Sequence, residues 1–308
     1  MAWSVLDTLG LRPKILESQH AALGGVRFVG LDGSSVRVPF PAGKRPKIGI
    51  SRSVLDQLLL NHAAAEGAQI MEAAPLTGVN RTASGWIIQT ASGQFKARQL
   101  VAADGRNSTT LRLLGLMPEK RNEERIALQA RFLPATPLDE EVVLRFVTEG
   151  YLGLAPVGGG LANLCLVGRP KNLPELRRRA VSEYGVPESL QFRSVTPLER
   201  PPLPPAGDAL WLAGDSAQVL EPFTGEGIAY AMLTGMECAK GIVAGAPGDY
   251  RREHARLYRE RMWLNKLARQ ACLHPELGDA IVRAGTLFPG LLAFLTRRVI
   301  SGSPRTAA

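Results

Sequence analysis

Cysteine is scarce. The chain has three in 308 residues, Cys165, Cys238 and Cys272, far apart and with no C-x-x-C pair. That spacing excludes a disulfide scaffold and a cysteine-based zinc site, so the thiols are expected to be free and buried. Histidine is as sparse, with four residues dispersed at His20, His62, His254 and His274. No Ser-His-Asp, Cys-His or metal-ligand constellation emerges from them, and His62, on an apolar helical stripe, is expected to be a core residue. Long apolar runs are also missing, since none reaches the ~18 residues of a membrane span. The opening MAWSVLDTLGLRPK lacks the basic, apolar and small-residue regions of a signal peptide. A cytoplasmic location is the expectation. No G-x-x-x-x-G-K-[ST] phosphate loop, internal repeat or low-complexity tract occurs.

What remains is 45% hydrophobic and 21% charged, the profile of a globular protein large enough for two packed lobes. The formal charge of +9 would permit nucleic-acid or anionic-membrane contact. The basic residues are scattered, however, and the densest run, Arg177 to Arg179, shares a helical segment with Glu175 and Glu183. With no nucleic-acid motif beside it, this charge reads as a solvated surface that steers anionic ligands.

Along the chain, VRFVGLDGSSVRV (26–38) predicts a hairpin turning at Asp32-Gly33. Ser51 caps a helix with Leu55, Leu58, Leu59 and His62 on one stripe, stopped by Gly67. Short strands are expected at 69–72, 76–80, 85–90, 94–97 and 99–102. From Arg125 to Gly168 the pattern turns strongly β, followed by a helix over 172–184 and a Pro-rich link, RPPLPPAG (200–207). The last sixty residues read as helical, most clearly 251–270. Elements alternate α and β at both ends of a mostly antiparallel middle, which predicts two interwoven lobes. The expected partition is 1–119, 120–205, 206–247 and 248–308.

Two segments share one plan: a short apolar strand, an acidic residue beside glycine, then a helix. LVAADGRNSTTLRLLG ends its strand at Asp104-Gly105 and resumes as a helix near Ser108, a plan that an ordinary turn and cap also explain. LWLAGDSAQVLEPFTGEGIAYAMLTG (210–235) is more specific. Gly225 and Gly227 keep the backbone bare where a helix begins, so amides can approach an anionic cofactor that the helix dipole favours. Asp215, an acceptor at a strand's C-terminal end, suits sugar or ribityl hydroxyls.

AGDSAQVLEPFTGEGIAYAMLTG resembles the second FAD signature of the group A flavoprotein oxidoreductases, whose fold is that of the p-hydroxybenzoate hydroxylase type. TGEGI followed by YAMLTG is more like the geranylgeranyl reductase branch, and Gln218 stands where the aromatic hydroxylases usually carry His. VAADGRNSTTLR, with Arg112, resembles the family's D-G signature. ISRSVLDQLLLNHAAAEGAQI resembles the segment whose Arg, here Arg52, lies close to FAD. GYLGLAPVGGGLANLCLV (150–167) resembles the strand pair that covers the flavin ring. The resemblance implies a mixed α/β fold: a Rossmann-like FAD/NAD(P)-binding domain interwoven with an antiparallel-sheet substrate domain, and a helical C-terminus. It implies that Asp215 holds the ribityl chain, and that Pro222, Thr224, Gly225, Glu226, Gly227 and Ile228 line the isoalloxazine. Asp104 and Gly105 would lie near the pyrophosphate, with NAD(P)H as a candidate electron donor. Glu221 and Glu226, flanking the loop, are candidate acid–base groups.

The family opens with a strand–helix–strand unit carrying G-x-G-x-x-G and an acidic residue for the adenosine ribose. This sequence contains neither. Three explanations are open: a longer natural protein, a truncated or decayed product, or a site completed by another polypeptide or a rearranged sheet. The 308 residues alone are expected to carry little FAD.

The substrate pocket is expected between the middle sheet and the flavin, floored by Tyr151, Leu152, Leu154 and Pro156, which suits a prenyl, polyketide-like or other lipid-like molecule. LFPGLLAFLTRRVI is a candidate peripheral membrane contact. Three functions stay open: flavin-dependent reduction of C=C bonds, monooxygenation with NAD(P)H and oxygen, and a non-catalytic remnant that binds lipid or a partner protein.

Overall fold

The computed structural model describes residues 1–43, 45–118, 125–136 and 138–301. Helices α1 (Ala2–Thr8) and α2 (Arg12–Glu17) precede β1 (His20–Ala22), the hairpin β2 (Gly25–Val29) and β3 (Ser35–Pro39), and β4 (Ile48–Ile50). Helix α3 (Arg52–Ala65) leads into a meander of β5 (Leu76–Thr82), β6 (Gly85–Thr90) and β7 (Gly93–Ala97). The first glycine–acid turn joins β8 (Leu100–Ala102) to α4 (Thr109–Leu113). Strands β9 (Ile126–Phe132), β10 (Glu141–Val147), β11 (Gly150–Pro156) and β12 (Ala162–Gly168) follow, then α5 (Leu173–Tyr184) and β13 (Arg193–Val195). The second turn follows β14 (Ala206–Gly207) and β15 (Leu210–Leu212). Helices α6 (Gly227–Ala244), α7 (Pro247–Arg259), α8 (Met262–Leu273), α9 (Pro275–Leu287) and α10 (Pro289–Ser301) complete the order.

Local signals account for many of these boundaries. The Ser51 hydroxyl accepts the Val54 amide at 3.3 Å and starts α3. In the β2–β3 hairpin, Gly33 takes φ +84° and the Asp32 carboxylate accepts the Ser34 amide at 2.9 Å. Gly185 and Gly245 close α5 and α6 in the left-handed conformation.

Long-range pairing builds the rest. The largest sheet runs β13-β9-β12-β11-β10-β2-β3, so the early hairpin is annexed by strands more than a hundred residues later. The joint is parallel, with Glu141 opposite Gly25. Glu141 is buried there between Arg27, at 2.8 Å, and Arg37. Burial opposes its ionisation, but the two arginine hydrogen bonds prevail and hold the carboxyl below its usual range.

The two faces of this sheet carry different cores. One packs Leu152, Leu154, Leu164 and Leu166 against Leu176 and Ala180 of α5. The other joins Phe146, Tyr151 and Val167 to Phe223 and to residues of α8, α9 and α10. A second sheet, β14-β15-β8, has β8 parallel to β15. Among the described residues no strand pairs with the other edge of β8.

Two expected elements differ. Residues 69–72 form no strand: the segment is exposed and turns through Ala73 at φ +53°. The helix expected over 251–270 is two, α7 and α8, broken at Glu260 and Arg261. There Arg261 turns inward to pair with Glu226, a buried contact 35 residues away. The boundary expected at 119/120 lies outside the described residues. No described helix is long and apolar enough to cross a membrane.

Candidate functional site

Strands β8 and β15 lie side by side in parallel, Leu100 opposite Leu210, so the turns leaving their C-terminal ends meet. That end of an open α/β sheet is where such folds place ligands. Gly105 and Gly214 take φ +82° and +58°. A Cβ on Gly214 would come within 3.1 Å of Ala231, so glycine lets α6 press against the turn. The Ser216 hydroxyl accepts the Gly105 amide at 3.0 Å and lies 3.2 Å from an Asp104 oxygen. Arg106 donates to Asp215 at 3.1 Å and to the Pro197 carbonyl at 2.9 Å.

The two acids do different work. Asp104 accepts the Ser108 hydroxyl at 2.5 Å and both the amide and the hydroxyl of Thr110 at 2.9 and 3.0 Å. Ser108 in turn caps α4 by accepting the Leu111 amide. Burial works against the ionised form of Asp104, yet the bonds from Ser108 and Thr110 prevail and its carboxyl titrates below the usual range. Asp215 keeps 30% of its side chain exposed and pairs only with Arg106 among the described residues. Beneath it, the buried Arg200 donates to the Asp215 and Ser216 carbonyls, which fixes the turn's backbone.

After Asp215 the chain makes a single 3₁₀ turn, Pro222–Thr224, then Gly225 at φ +68°, then α6. Nothing lies within 4 Å of where a Cβ would stand on Gly225 or Gly227, so bare backbone borders open space at a helix start. The first amides of α6 have no intrahelical acceptor. Two buried ion pairs brace the loop: Glu221 with Arg125 at 2.6 Å, and Glu226 with Arg261. The Tyr151 hydroxyl donates to Glu221 at 3.3 Å, and the Asn265 side chain to the Glu221 carbonyl at 3.3 Å. Phe223 stacks on Phe146, centroids 5.6 Å apart, and meets the edge of Tyr151 at 5.2 Å. Burial, with Glu221 adding to it, raises the Cys165 thiol to about 11. For Tyr151, burial, Cys272 and Glu221 act in the same direction, so the phenol stays protonated.

The predicted site residues therefore divide. Asp104, Gly105, Asp215, Pro222, Thr224, Gly225, Glu226, Gly227 and Ile228 lie on the two adjoining turns and the loop that follows. Leu55 of α3 shares a core cluster with Ile228 and Met232, which ties α3 to the start of α6. Arg52 itself is 65% exposed and bonded to Asp56. Tyr151 faces Phe223, whereas Leu152 and Leu154 pack in the cluster under α5, so the structure does not bring them into one floor. Strand alternation is the reason. The Pro156 carbonyl lies close to Gly49, where a Cβ would meet it. Glu221 and Glu226 are consumed by arginine pairs, which leaves neither as an open acid–base group. Arg106, Arg125, Arg200, Ser216 and Arg261 escaped the sequence reading; only Arg106 and Ser216, each directly after the glycine–acid pair of its segment, carried a local signal.

FAD fits these residues at its ring and ribityl end: open glycine backbone, a helix start and one partly exposed carboxylate. For the adenosine end, the described residues hold no glycine-rich strand–helix unit.

No family model matches the chain. It is 26% identical over 282 residues to digeranylgeranylglycerophospholipid reductase 1 of Methanothermobacter thermautotrophicus, covering 83% of this chain and 70% of that protein. Menaquinone reductase of Mycolicibacterium smegmatis is 27% identical over 255 residues, covering 73% and 61%. Rifampicin monooxygenase of Streptomyces venezuelae is 26% identical over 240 residues, covering 73% and 50%. The chain thus spans only part of each relative's length. Among solved structures, the flavin-dependent brominase Bmp2 superposes with a TM-score of 0.75 at 19% identity, over 96% of this chain and 81% of that one. A geranylgeranyl bacteriochlorophyll reductase-like protein of Thermoplasma acidophilum gives 0.73 at 21%, over 92% and 79%. The fold is that of flavoproteins with a Rossmann-like FAD-binding domain and an interwoven antiparallel sheet. In sequence the chain is thus similar to reductases and a monooxygenase, and in fold to flavin-dependent enzymes.

Proposed function

We propose that this chain forms the flavin-ring and substrate side of an FAD-dependent oxidoreductase that reduces C=C bonds of an apolar, prenyl- or polyketide-like substrate. One observation carries this reading: Phe223 of the loop after β15 packs against Phe146 and Tyr151, which joins the loop leading into the glycine-lined helix start to the aromatic face of the sheet. Bound there, FAD supplies the two-electron redox chemistry. The protein's part is to bind, orient and exclude water. Asp215 holds ribityl hydroxyls, Pro222 to Ile228 line the ring, Asp104-Gly105 lie toward the pyrophosphate, and Arg52 lies close to FAD. Tyr151, kept protonated and hydrogen-bonded to Glu221, packs its ring against Phe223 and so ties the loop to the sheet.

The four segments 1–119, 120–205, 206–247 and 248–308 correspond in this reading to cofactor, substrate, cofactor and C-terminal parts. NAD(P)H is the proposed electron donor. The exposed Leu287 and Phe288, at 75% and 65%, make the α9–α10 corner a candidate contact with a lipid surface, one that vesicle sedimentation can test.

Oxygen dependence tests the chemistry. The flavin-loaded protein, reduced anaerobically and given prenyl substrates, is expected to yield the hydrogenated product without oxygen. Turnover that requires oxygen and gives a hydroxylated product would instead make it a monooxygenase, the activity in the name of the Streptomyces relative.

A further inference from the structure

Where β11 begins and β12 ends, at Gly150 and Gly168, the sheet borders a cavity of about 260 Å³. Arg125, Glu149, Arg169, Lys171 and Cys272 contribute to its wall. The volume is below the ~300–1,000 Å³ of typical cofactor and drug-sized sites, so it suits one small group rather than a whole cofactor.

Its charge is unbalanced. Glu149, the acid in the wall, is already paired with Arg179 at 3.2 Å. Arg169 and Lys171 are exposed and have no ion-pair partner among the described residues. Arg125, 9% exposed, gives Nη2 to Glu221 but leaves Nη1 buried without a hydrogen-bond partner. A buried guanidinium nitrogen without an acceptor is costly, which marks a place for one. The 3₁₀ turn Pro170–Asn172 feeds directly into the twelve-residue α5, whose positive end adds to the field.

We propose that this cavity binds a phosphate-class anion, with Arg169 and Lys171 at its mouth and Arg125 in its wall. The anion is either free phosphate or the phosphomonoester head of an amphiphile. Arg125 then stands between two anions, this one and Glu221 of the loop after β15. The proposal does not depend on the flavin reading and survives its failure.

Calorimetric titration of the full chain at constant ionic strength tests it, with inorganic phosphate in one arm and dihexanoyl phosphatidate in the other. At least one is expected to bind with Kd below about 10 mM. Equal affinities identify the free anion, and phosphatidate at least about tenfold tighter identifies the headgroup. The double variant Arg169→Gln/Lys171→Gln, altered only at exposed positions, should weaken binding about tenfold or more, whereas Lys14→Gln/Lys96→Gln, exposed elsewhere, should not. Absence of binding in both arms, an unaffected Arg169→Gln/Lys171→Gln variant, or equal losses in both variants would overturn it.

Discussion

Asp104 and Asp215 leave neighbouring parallel strands at the same level, and each is followed by a helix, yet they are held in different ways. The Asp104 carboxylate is taken up by Ser108 and Thr110, residues of its own helix start. Asp215 stays partly open, and the loop after it is braced from a distance by Arg125 and Arg261. A carboxylate taken up by its own helix start is a structural brace. A turn whose support comes from remote elements leaves its own polar groups available for a ligand.

The largest expected break in this comparison comes from the remote support. Glu221→Ala strands Arg125 in a buried site and should cost about 3–5 kcal/mol in urea unfolding. Next comes acid. His254 packs between the Tyr250 and Tyr258 rings on α7, behind the second turn, and burial lowers its pKa to about 4. Unfolded, it takes up a proton below about 6.5; folded, only below about 4. Stability from the neutral imidazole is therefore complete above pH 6.5 and falls by up to about 3 kcal/mol as the pH drops to 4. The Asp104 bonds behave as a depressed carboxylate, present above about pH 3.8 and lost only below it. Amide exchange followed against pH should show α7 and β15 losing protection first and α4 later. Simultaneous loss would erase the distinction.

Smaller effects separate the acids themselves. Asp104→Ala should destabilise the fold by about 1–2 kcal/mol through the lost cap, with FAD affinity changed less than about threefold. Asp215→Asn should weaken FAD about tenfold, while stability changes by less than about 1 kcal/mol, since its partly exposed pair with Arg106 is worth little. Reversed outcomes would exchange the roles of the two turns.

Much of this was legible in the sequence because it is local. Ser51, Ser108 and the Asp32-Gly33 turn act within a few residues, and the strand–glycine–helix plan of 210–235 locates the loop. The face assignment of 151–156 was misread: strand alternation separates Tyr151 from Leu152 and Leu154, which the expected single floor ignored. What stayed hidden depends on distance. The Glu221–Arg125 pair spans 96 residues, and the break that turns Arg261 toward Glu226 overrides a good helical pattern. The parallel register of β2 on β10 likewise has no signature in either strand.

The central claim is that a flavin ring sits against the loop after β15 and the sheet's aromatic face. Hydrogen–deuterium exchange of the full chain, with and without about 1 mM FAD, tests it most directly. The account predicts slowed exchange in residues 214–229 and 150–156, with the FAD concentration needed for half of that protection raised about tenfold by Asp215→Asn. Protection confined to other segments, or none at a flavin concentration that saturates the binding signal, would contradict it.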